Sequence, residues 1–464
     1  MAYPFDLAYE GPGLTTIRII QSGGNPYAPT LYDAPPFWLN IYTPLYHYLV
    51  AWLPFDGPHP FWNGRLVAML AMVLAAGGLF SVGRRRTFGL SLVACAVFFA
   101  IRPVVHSTAY LKNDSLALLL SVLALLCAEK IRRSTLAVGL SALCALLAFS
   151  SKQSFLSAAF VCQLHFLMRD RRQAISFAVF LAGMAGTAGL LAQTMWGDGF
   201  WFSAFESLQR SFSREEFLEH LGVMLRQPVY LFLLAVAIGL FWIGLRRDGI
   251  RILRNIWLLY ALLSGLALLS QLGGSGANTN YFIEPTLALL LWLVSVIAAK
   301  SAPWPPRIVL ALSALLLACV ACELAVAPAR AVAITNPEQT SNDLGLRVAI
   351  AGEIRAAAGR ISDLQVLNLY TAPVGSFLPG RVSLNDPFLY NVLWRRGTLS
   401  PQPLLQALSM HYFQVVVVGL NTDVNDSMDE PFIALRADYT LASSGIMQYW
   451  VPKPAPDVIP AEAR

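Results

Sequence analysis

Charge is scarce in this chain. Only 13% of its 464 residues are Asp, Glu, Lys or Arg, while 56% are hydrophobic, against the roughly 25% charged that a water-soluble domain carries. A purely aqueous protein is excluded, because such a composition leaves too little polar surface to cover the apolar part. Metal and disulfide patterns are missing as well. The six cysteines, Cys95, Cys127, Cys144, Cys162, Cys319 and Cys322, fall inside apolar runs, and Cys319 and Cys322, though spaced as CxxC, have no second pair or histidine at zinc-ligand spacing. Structural zinc and a disulfide framework are therefore not expected. His47, His59, His106 and His220 stand singly. There is no GxGxxG or GxxxxGK phosphate loop, and no visible internal repeat of the kind that builds transporters. The first segment has neither the basic n-region nor the h-region of a secretory leader.

What the chain has in quantity is apolar runs of membrane-crossing length. Hydropathy predicts helices near 64–83, 88–104, 114–128, 134–150, 154–168, 173–194, 230–246, 254–272, 282–299 and 306–326, several of them shorter than the ~20 residues that cross a bilayer upright. The fold class expected is mainly α: a polytopic transmembrane bundle of about ten helices followed by a small extracytoplasmic α/β domain. Residues 1–63 read as an extracytoplasmic segment with interfacial helices, 64–327 as the bundle, and 328–464 as the α/β domain.

The net charge of +6 does not imply nucleic acid, since the basic residues occupy short loops and form no stripe. They do set a direction. Arg84, Arg85, Arg86, Lys130, Arg132, Arg133, Arg169, Arg171, Arg172, Arg246, Arg247, Arg251, Arg254, Lys300 and Arg307 fill one set of loops, fifteen against seven in the other set. By the positive-inside rule the first set faces the cytoplasm. The N-terminus then lies outside, and the expectation is that a membrane helix precedes the present start. Localisation is read as a bacterial cytoplasmic membrane, multi-pass, with the C-terminal domain outside.

On the outer side the polar residues cluster. Asp6 and Glu10 precede a short helix carrying Leu14, Ile17 and Ile20 on one face and ending at Gly23 and Gly24. The stretch 38–53, with Tyr42 and Tyr46, has the aromatics of a membrane boundary and is a candidate acceptor or interface surface. Three groups flank the spans: Arg102, Tyr110, Lys112, Asn113 and Asp114; Lys152 and Gln153; and Asn278, Asn280 and Tyr281. An ammonium at the interface suits a lipid phosphate. Each group also has a plainer reading: Glu10 as a loop acid or a helix N-terminal charge, Lys112 with Asp114 as an interfacial pair, Lys152 and Gln153 as a snorkelling helix end, and the asparagines as caps.

With these residues in view, the chain resembles the GT-C membrane glycosyltransferases, on the bacterial side of the group related to dolichyl-phosphate-mannose protein mannosyltransferases (family 39-like). The matching pieces are YEGP at 9–12, GNPY at 24–27, YTPLYHYL at 42–49, KNDSLALLLS at 112–121, SSKQS at 150–154 and NTNYFIE at 278–284. The resemblance implies inverting transfer of a sugar from a polyprenyl-phosphate donor to a hydroxyl of a lipid, glycan or protein acceptor at the periplasmic face. It implies Glu10 as general base, with Asp6 beside it, and cations such as Lys152, Lys112 or Arg102 at the leaving phosphate. Asp114 is left for substrate positioning or a pair with Lys112, and Gln153, Asn278, Asn280 and Tyr281 for substrate contacts. No cofactor is required by anything in the sequence, and a divalent metal stays open. Membrane lipids are expected partners and nucleic acid is not. A lipid-linked sugar flippase or a non-catalytic envelope assembly protein stands as the alternative.

In the tail, residues 364–370 and 413–420 read as buried strands and 447–452 as an edge strand, with helices near 342–359 and 401–410. The expected role of this domain is to shape acceptor access or cover the outer cleft.

Overall fold

The structure is a computed structural model describing residues 7–54, 61–131, 133–209, 212–274, 279–299, 304–326, 352–354, 356, 364–369, 381–384, 387–418, 430–444 and 448–453. Before the bundle come α1 (Leu7–Gln21), α2 (Pro29–Tyr32) and α3 (Leu45–Ala51). The bundle runs α4 (Trp62–Gly83), α5 (Phe88–Ala100), α6 (Arg102–Ala109), α7 (Asn113–Lys130), α8 (Ser134–Ser151), α9 (Ser157–Arg169) and α10 (Arg171–Trp196). After α11 (Asp198–Ala204) and α12 (Arg214–Leu225) follow α13 (Pro228–Asp248), α14 (Ile256–Gln271), α15 (Ile283–Ile297) and α16 (Pro306–Val326). Each of the ten predicted apolar runs is helical, the second as two helices.

Five of them are long and apolar enough to cross a membrane by themselves: Trp62–Gly83, Ser134–Ser151, Arg171–Trp196, Pro228–Arg247 and Asn280–Ile297. The second predicted span is not one straight helix. Ile101 is extended, Arg102-Pro103 starts a new helix, and α5 and α6 meet at a 75° bend, as expected where a proline sits in the first turn of a helix and cannot continue the one before it. With 13 residues each, α5 and α9 reach only about 20 Å at 1.5 Å per residue, less than the ~30 Å hydrocarbon layer. Apolar side chains nevertheless point outward along the bundle, among them Leu74 at 59% exposure and Leu190 at 71%. In water such a surface would be a liability; in lipid it is the matching face. The chain is a multi-pass membrane protein.

Hydrogen bonds between helices fix their directions. Ser141 Oγ donates to the Ala124 carbonyl (2.9 Å) and Asn113 and Ser151 bond each other's main chain, so α7 and α8 are antiparallel. Lys130 Nζ reaches the Ser81 carbonyl at 3.1 Å, Arg169 the Ala128 carbonyl at 3.4 Å, and Trp257 Nε1 the Glu129 carboxyl at 3.1 Å. The loops after α4, α7 and α9 and before α14 therefore gather at one end, the end predicted from their arginines and lysines. Asn113, Asp114, Lys152 and Asn280 lie at the other. Close helix approach underlies this order: a side chain at Gly78 would collide with Val122, and one at Gly64 with Leu111. Small residues at such crossings let membrane helices pack backbone to backbone.

Contacts group the chain into two units, one comprising Tyr42–Met195 and Leu208–Val332, the other Met1–Ile41, Trp196–Ser207 and Ala333–Arg464. The second contains a five-stranded sheet of β1 (Gln365–Asn368), β2 (Arg381–Ser383), β3 (Val415–Val418), β4 (Tyr439–Ser444) and β5 (Gln448–Pro452) in the order β2-β1-β3-β5-β4. β2, β1 and β3 are parallel, whereas β5 runs antiparallel to both β3 and β4. The predicted edge strand, β5, is thus internal. Its outer neighbour β4 was not expected, since the YTLASS stretch alternates weakly and ends in small polar residues. A helix occupies Gln402–Ser409 as predicted; the one expected near 342–359 falls largely outside the described residues. Tyr32, Phe37 and Leu39 share this unit's core with Leu393, Val416 and Trp450. Helix α1 buries Leu14, Ile17 and Ile20 and stops before Gly23 at φ 77°, as its pattern predicted.

Candidate functional site

At the end of the bundle away from the arginine-rich loops, α7 begins and α8 ends side by side. Asn113 Nδ2 donates to the Ser151 carbonyl and Ser151 Oγ donates to the Asn113 carbonyl, both at 3.1 Å. This reciprocal clasp sets Asp114, in the first turn of α7, against Lys152, whose extended backbone (φ −153°) follows the last turn of α8. Lys152 Nζ donates to Asp114 Oδ1 at 2.5 Å, and Asn280 Nδ2 donates to the same oxygen at 3.1 Å. The ammonium also lies 5.3 Å from the centroid of the Tyr281 ring.

Lys152 is 5% exposed and Asp114 2%, so each charge has exchanged water for the other. The helix ends favour the arrangement: an acid sits at the positive end of α7 and a cation at the negative end of α8. Burial alone pulls the Lys152 ammonium down, but Asp114, with Tyr42 and Tyr281, holds it above the ordinary lysine range. The ammonium stays charged.

The predicted pair of Asp114 with Lys112 is not formed; the partner is Lys152. Lys112 is the residue before α7, buried and extended (φ −132°), while Lys152 arrives from the antiparallel neighbour. Asn280 belongs to a 3-10 turn, Thr279–Phe282, and serves Asp114; Phe282 holds the cap position of α15. Of the other predicted residues, Tyr42 comes close enough to Lys152 to favour its charge, Gln153 is half-buried, and Arg102 is exposed on α6. Tyr46 is fully buried and donates its hydroxyl to the Gly64 carbonyl at 2.8 Å. Glu10 is buried in the first turn of α1, in the other unit, and is no loop acid. Asp6 and Asn278 lie outside the described residues.

Two buried charged residues were not among the predicted site residues, although the NTNYFIE stretch ends on one of them, Glu284. Arg65, in the first turn of α4, stacks its guanidinium 5.5 Å from the Phe61 ring centroid and 5.3 Å from that of Tyr110. Glu284, 7% exposed, accepts a 3.4 Å hydrogen bond from Ser157 Oγ and has the Tyr260 hydroxyl beside it. Its spacing from Asn280 and Tyr281, four and three residues, puts all three on one helical face; that periodicity was the available signal. Asp114, Ser154, Phe155, Asn280, Tyr281 and Glu284 line one narrow cleft. Among the described residues no three His, Cys, Asp or Glu side chains gather as metal ligands, and the donors already on Asp114 Oδ1 would have to leave before it could bind one.

No family model matches the chain, and no curated protein matches it in sequence. Solved structures do. The crystal structure of ArnT from Cupriavidus metallidurans in the apo state superposes with a TM-score of 0.57 at 13% identity, over 98% of this chain and 95% of that one. The same protein bound to undecaprenyl phosphate gives 0.61, again at 13% identity over 98% and 95%. At this identity the likeness is one of fold, and it extends over nearly the whole chain: the fold is ArnT-like.

Proposed function

We propose that the chain is an integral membrane glycosyltransferase that moves a sugar from a polyprenyl-phosphate donor to an acceptor hydroxyl at the extracytoplasmic membrane boundary. The observation that carries this reading is the buried Asp114, Lys152 and Asn280 constellation at the bundle end opposite the basic loops. Buried ionisable groups in a membrane protein are costly and are kept where they serve a pathway or a ligand. The ArnT-like fold supports the same class, and the ArnT crystal with undecaprenyl phosphate supports a lipid phosphate as the donor's anchor.

In this reading the basic loops face the cytoplasm and the cleft opens outside. Lys152 has one of its three protons committed to Asp114; the others face the leaving phosphate, with Lys112 and Arg102 as further cations and Gln153, Asn280 and Tyr281 as contacts. Positive charge there lowers the barrier, because the departing phosphate gains negative charge as the sugar leaves. Asp114 keeps the ammonium in place. Glu10, with Asp6, takes the acceptor's proton, and Tyr42 belongs to the acceptor side.

The test is incubation of purified protein with a panel of polyprenyl-phosphate sugars. One donor should be consumed, and Glu10→Gln should lower turnover by ~100-fold with donor binding retained, the usual scale for losing a general base. Near-normal turnover in that variant would remove the base assignment, and consumption of no donor would remove the reading.

A further inference from the structure

We propose that the basic end of the bundle carries a binding site for the phosphodiester headgroup of an anionic phospholipid, built where α4, α7 and α9 finish. The proposal is independent of the transferase reading, because it concerns the end opposite Asp114 and Lys152. Lys130 Nζ donates to the Ser81 carbonyl at 3.1 Å and to the Ser81 hydroxyl at 3.3 Å. Arg84 and Arg85 follow Ser81 by three and four residues, in the turn that continues α4, so they emerge on the face that Lys130 has reached. Each lies close enough to Lys130 to oppose its charge. Arg169 closes the group from α9, with its Nη1 3.4 Å from both the Ala128 carbonyl and His165 Nε2. Four cations are thus held on three helix ends.

The carbonyl end of a helix attracts cations by itself. That accounts for Lys130 and Arg169, which bond main-chain carbonyls there, but not for two arginines placed beside a lysine that already occupies the end of α4. The acids of these helix ends are engaged elsewhere: Glu129 accepts from Trp257 Nε1 at 3.1 Å, and Asp170 accepts from the Arg172 amide and the Gln173 side chain. Among the described residues Arg84 and Arg85 form no ion pair. Like charges gathered in this way call for an anion from outside. The flank says which one. Phe88 packs edge-on against Phe80, ring centroids 5.4 Å apart, and Phe80 lies one turn below Arg84 on α4. Phe88 is exposed, as are Leu167 and Met168 in the last turn of α9. Cations at the rim with bare apolar side chains beneath them match a molecule that has a phosphate at one end and acyl chains at the other. Inorganic phosphate would use the rim alone. A guanidinium takes two oxygens of a phosphodiester at once while an ammonium adds a point charge, and a zwitterionic headgroup, which brings its own cation, gains less.

The experiment measures binding to the purified full chain of phosphatidylglycerol, of phosphatidylcholine with the same acyl chains, and of inorganic phosphate. The wild type should bind phosphatidylglycerol most tightly and lose that preference as salt is raised. Arg84→Gln combined with Arg85→Gln should weaken phosphatidylglycerol binding about 30-fold, on a scale of about fivefold for each cation facing an anionic lipid. Phosphatidylcholine binding should not change, which also shows that the variant is folded. Arg84→Lys with Arg85→Lys should keep most of the affinity. The control is Arg246→Gln with Arg247→Gln, which removes the same charge at the end of α13 and should bind phosphatidylglycerol like the wild type. An equal loss in the control would reduce the effect to diffuse charge, and inorganic phosphate bound as tightly as the lipid would make this a soluble-anion site. Either result overturns the proposal, as does a wild type that does not distinguish the two lipids or a Gln variant that weakens for both alike.

Discussion

Lys152 and Asp114 form a buried ion pair of the sort that costs more to break than to omit. Both charges have left water, so removing one strands the other in a low-dielectric site, at a loss of about 3 to 5 kcal/mol. Lys152→Met and Asp114→Leu should each lower the stability of the detergent-solubilised protein by that order, read as the free energy of a reversible denaturation. The double substitution should cost much less than the two added together. An additive double-mutant cycle would mean that the two charges do not support each other. The double variant should still be inactive, which separates the pair's structural role from the place at the donor phosphate proposed for it.

Of the candidate residues, those flanking the predicted spans were legible because a charge or amide beside a long apolar run has few reasons to be there. Asp114, Lys152, Asn280 and Tyr281 were all marked in this way, and the structure brings them together. Their pairing was not legible. Lys112 is two residues from Asp114 and Lys152 is 38, but the nearer lysine precedes the helix on an extended strand, and the farther one is delivered by an antiparallel neighbour. Glu284, the last residue of NTNYFIE, was given no role because it falls inside a predicted span, where hydropathy averages a single acid away.

At the scale of elements, the helices could be read from hydropathy and the interruptions could not. Proline at 103 split the second run, a signal present in the sequence but outweighed by the surrounding apolar residues. The sheet was read through its two most apolar strands, β1 and β3, while β4 stayed hidden because its neighbour β5 supplies much of the reason for it to be a strand. Helix packing makes a sharper prediction. Gly78 faces Val122 with no room for a Cβ, so Gly78→Leu should force α4 and α7 apart and destabilise the protein by about 1 to 3 kcal/mol, the range for overpacked cores. Gly77, one position away with nothing near it, is the control: Gly77→Leu should be close to neutral. Equal melting behaviour of the two variants would contradict the packing described.

For the whole molecule the decisive property is polarity from end to end. Single cysteines at Arg85 and Gln153, introduced after the native cysteines are replaced, should react with a membrane-impermeant thiol reagent from opposite sides of sealed cells or vesicles. Gln153→Cys should label from outside and Arg85→Cys only after permeabilisation. Labelling of both from one side would contradict the arrangement of the bundle, and labelling in the reverse sense would leave the bundle intact while inverting the proposed sidedness. The direction came from counting arginines and lysines in loops; that those loops meet at one end came from hydrogen bonds such as Lys130 to Ser81 and Arg169 to Ala128.

The Tyr390 hydroxyl donates to the Tyr32 carbonyl across 358 positions of sequence, and Tyr32, Phe37 and Leu39 have their hydrophobic partners among the last strands and helices. A ribosome adding 5 to 20 residues per second needs roughly 20 to 70 s to cover that interval. Throughout it Tyr32 has Phe202 to stack on but not the strands and helices that complete its core. Folding of this unit therefore waits on distant parts of the chain: the segment that carries Glu10 shares a unit with β1 to β5, and a chain stalled before those strands holds its acid without the core that completes the unit.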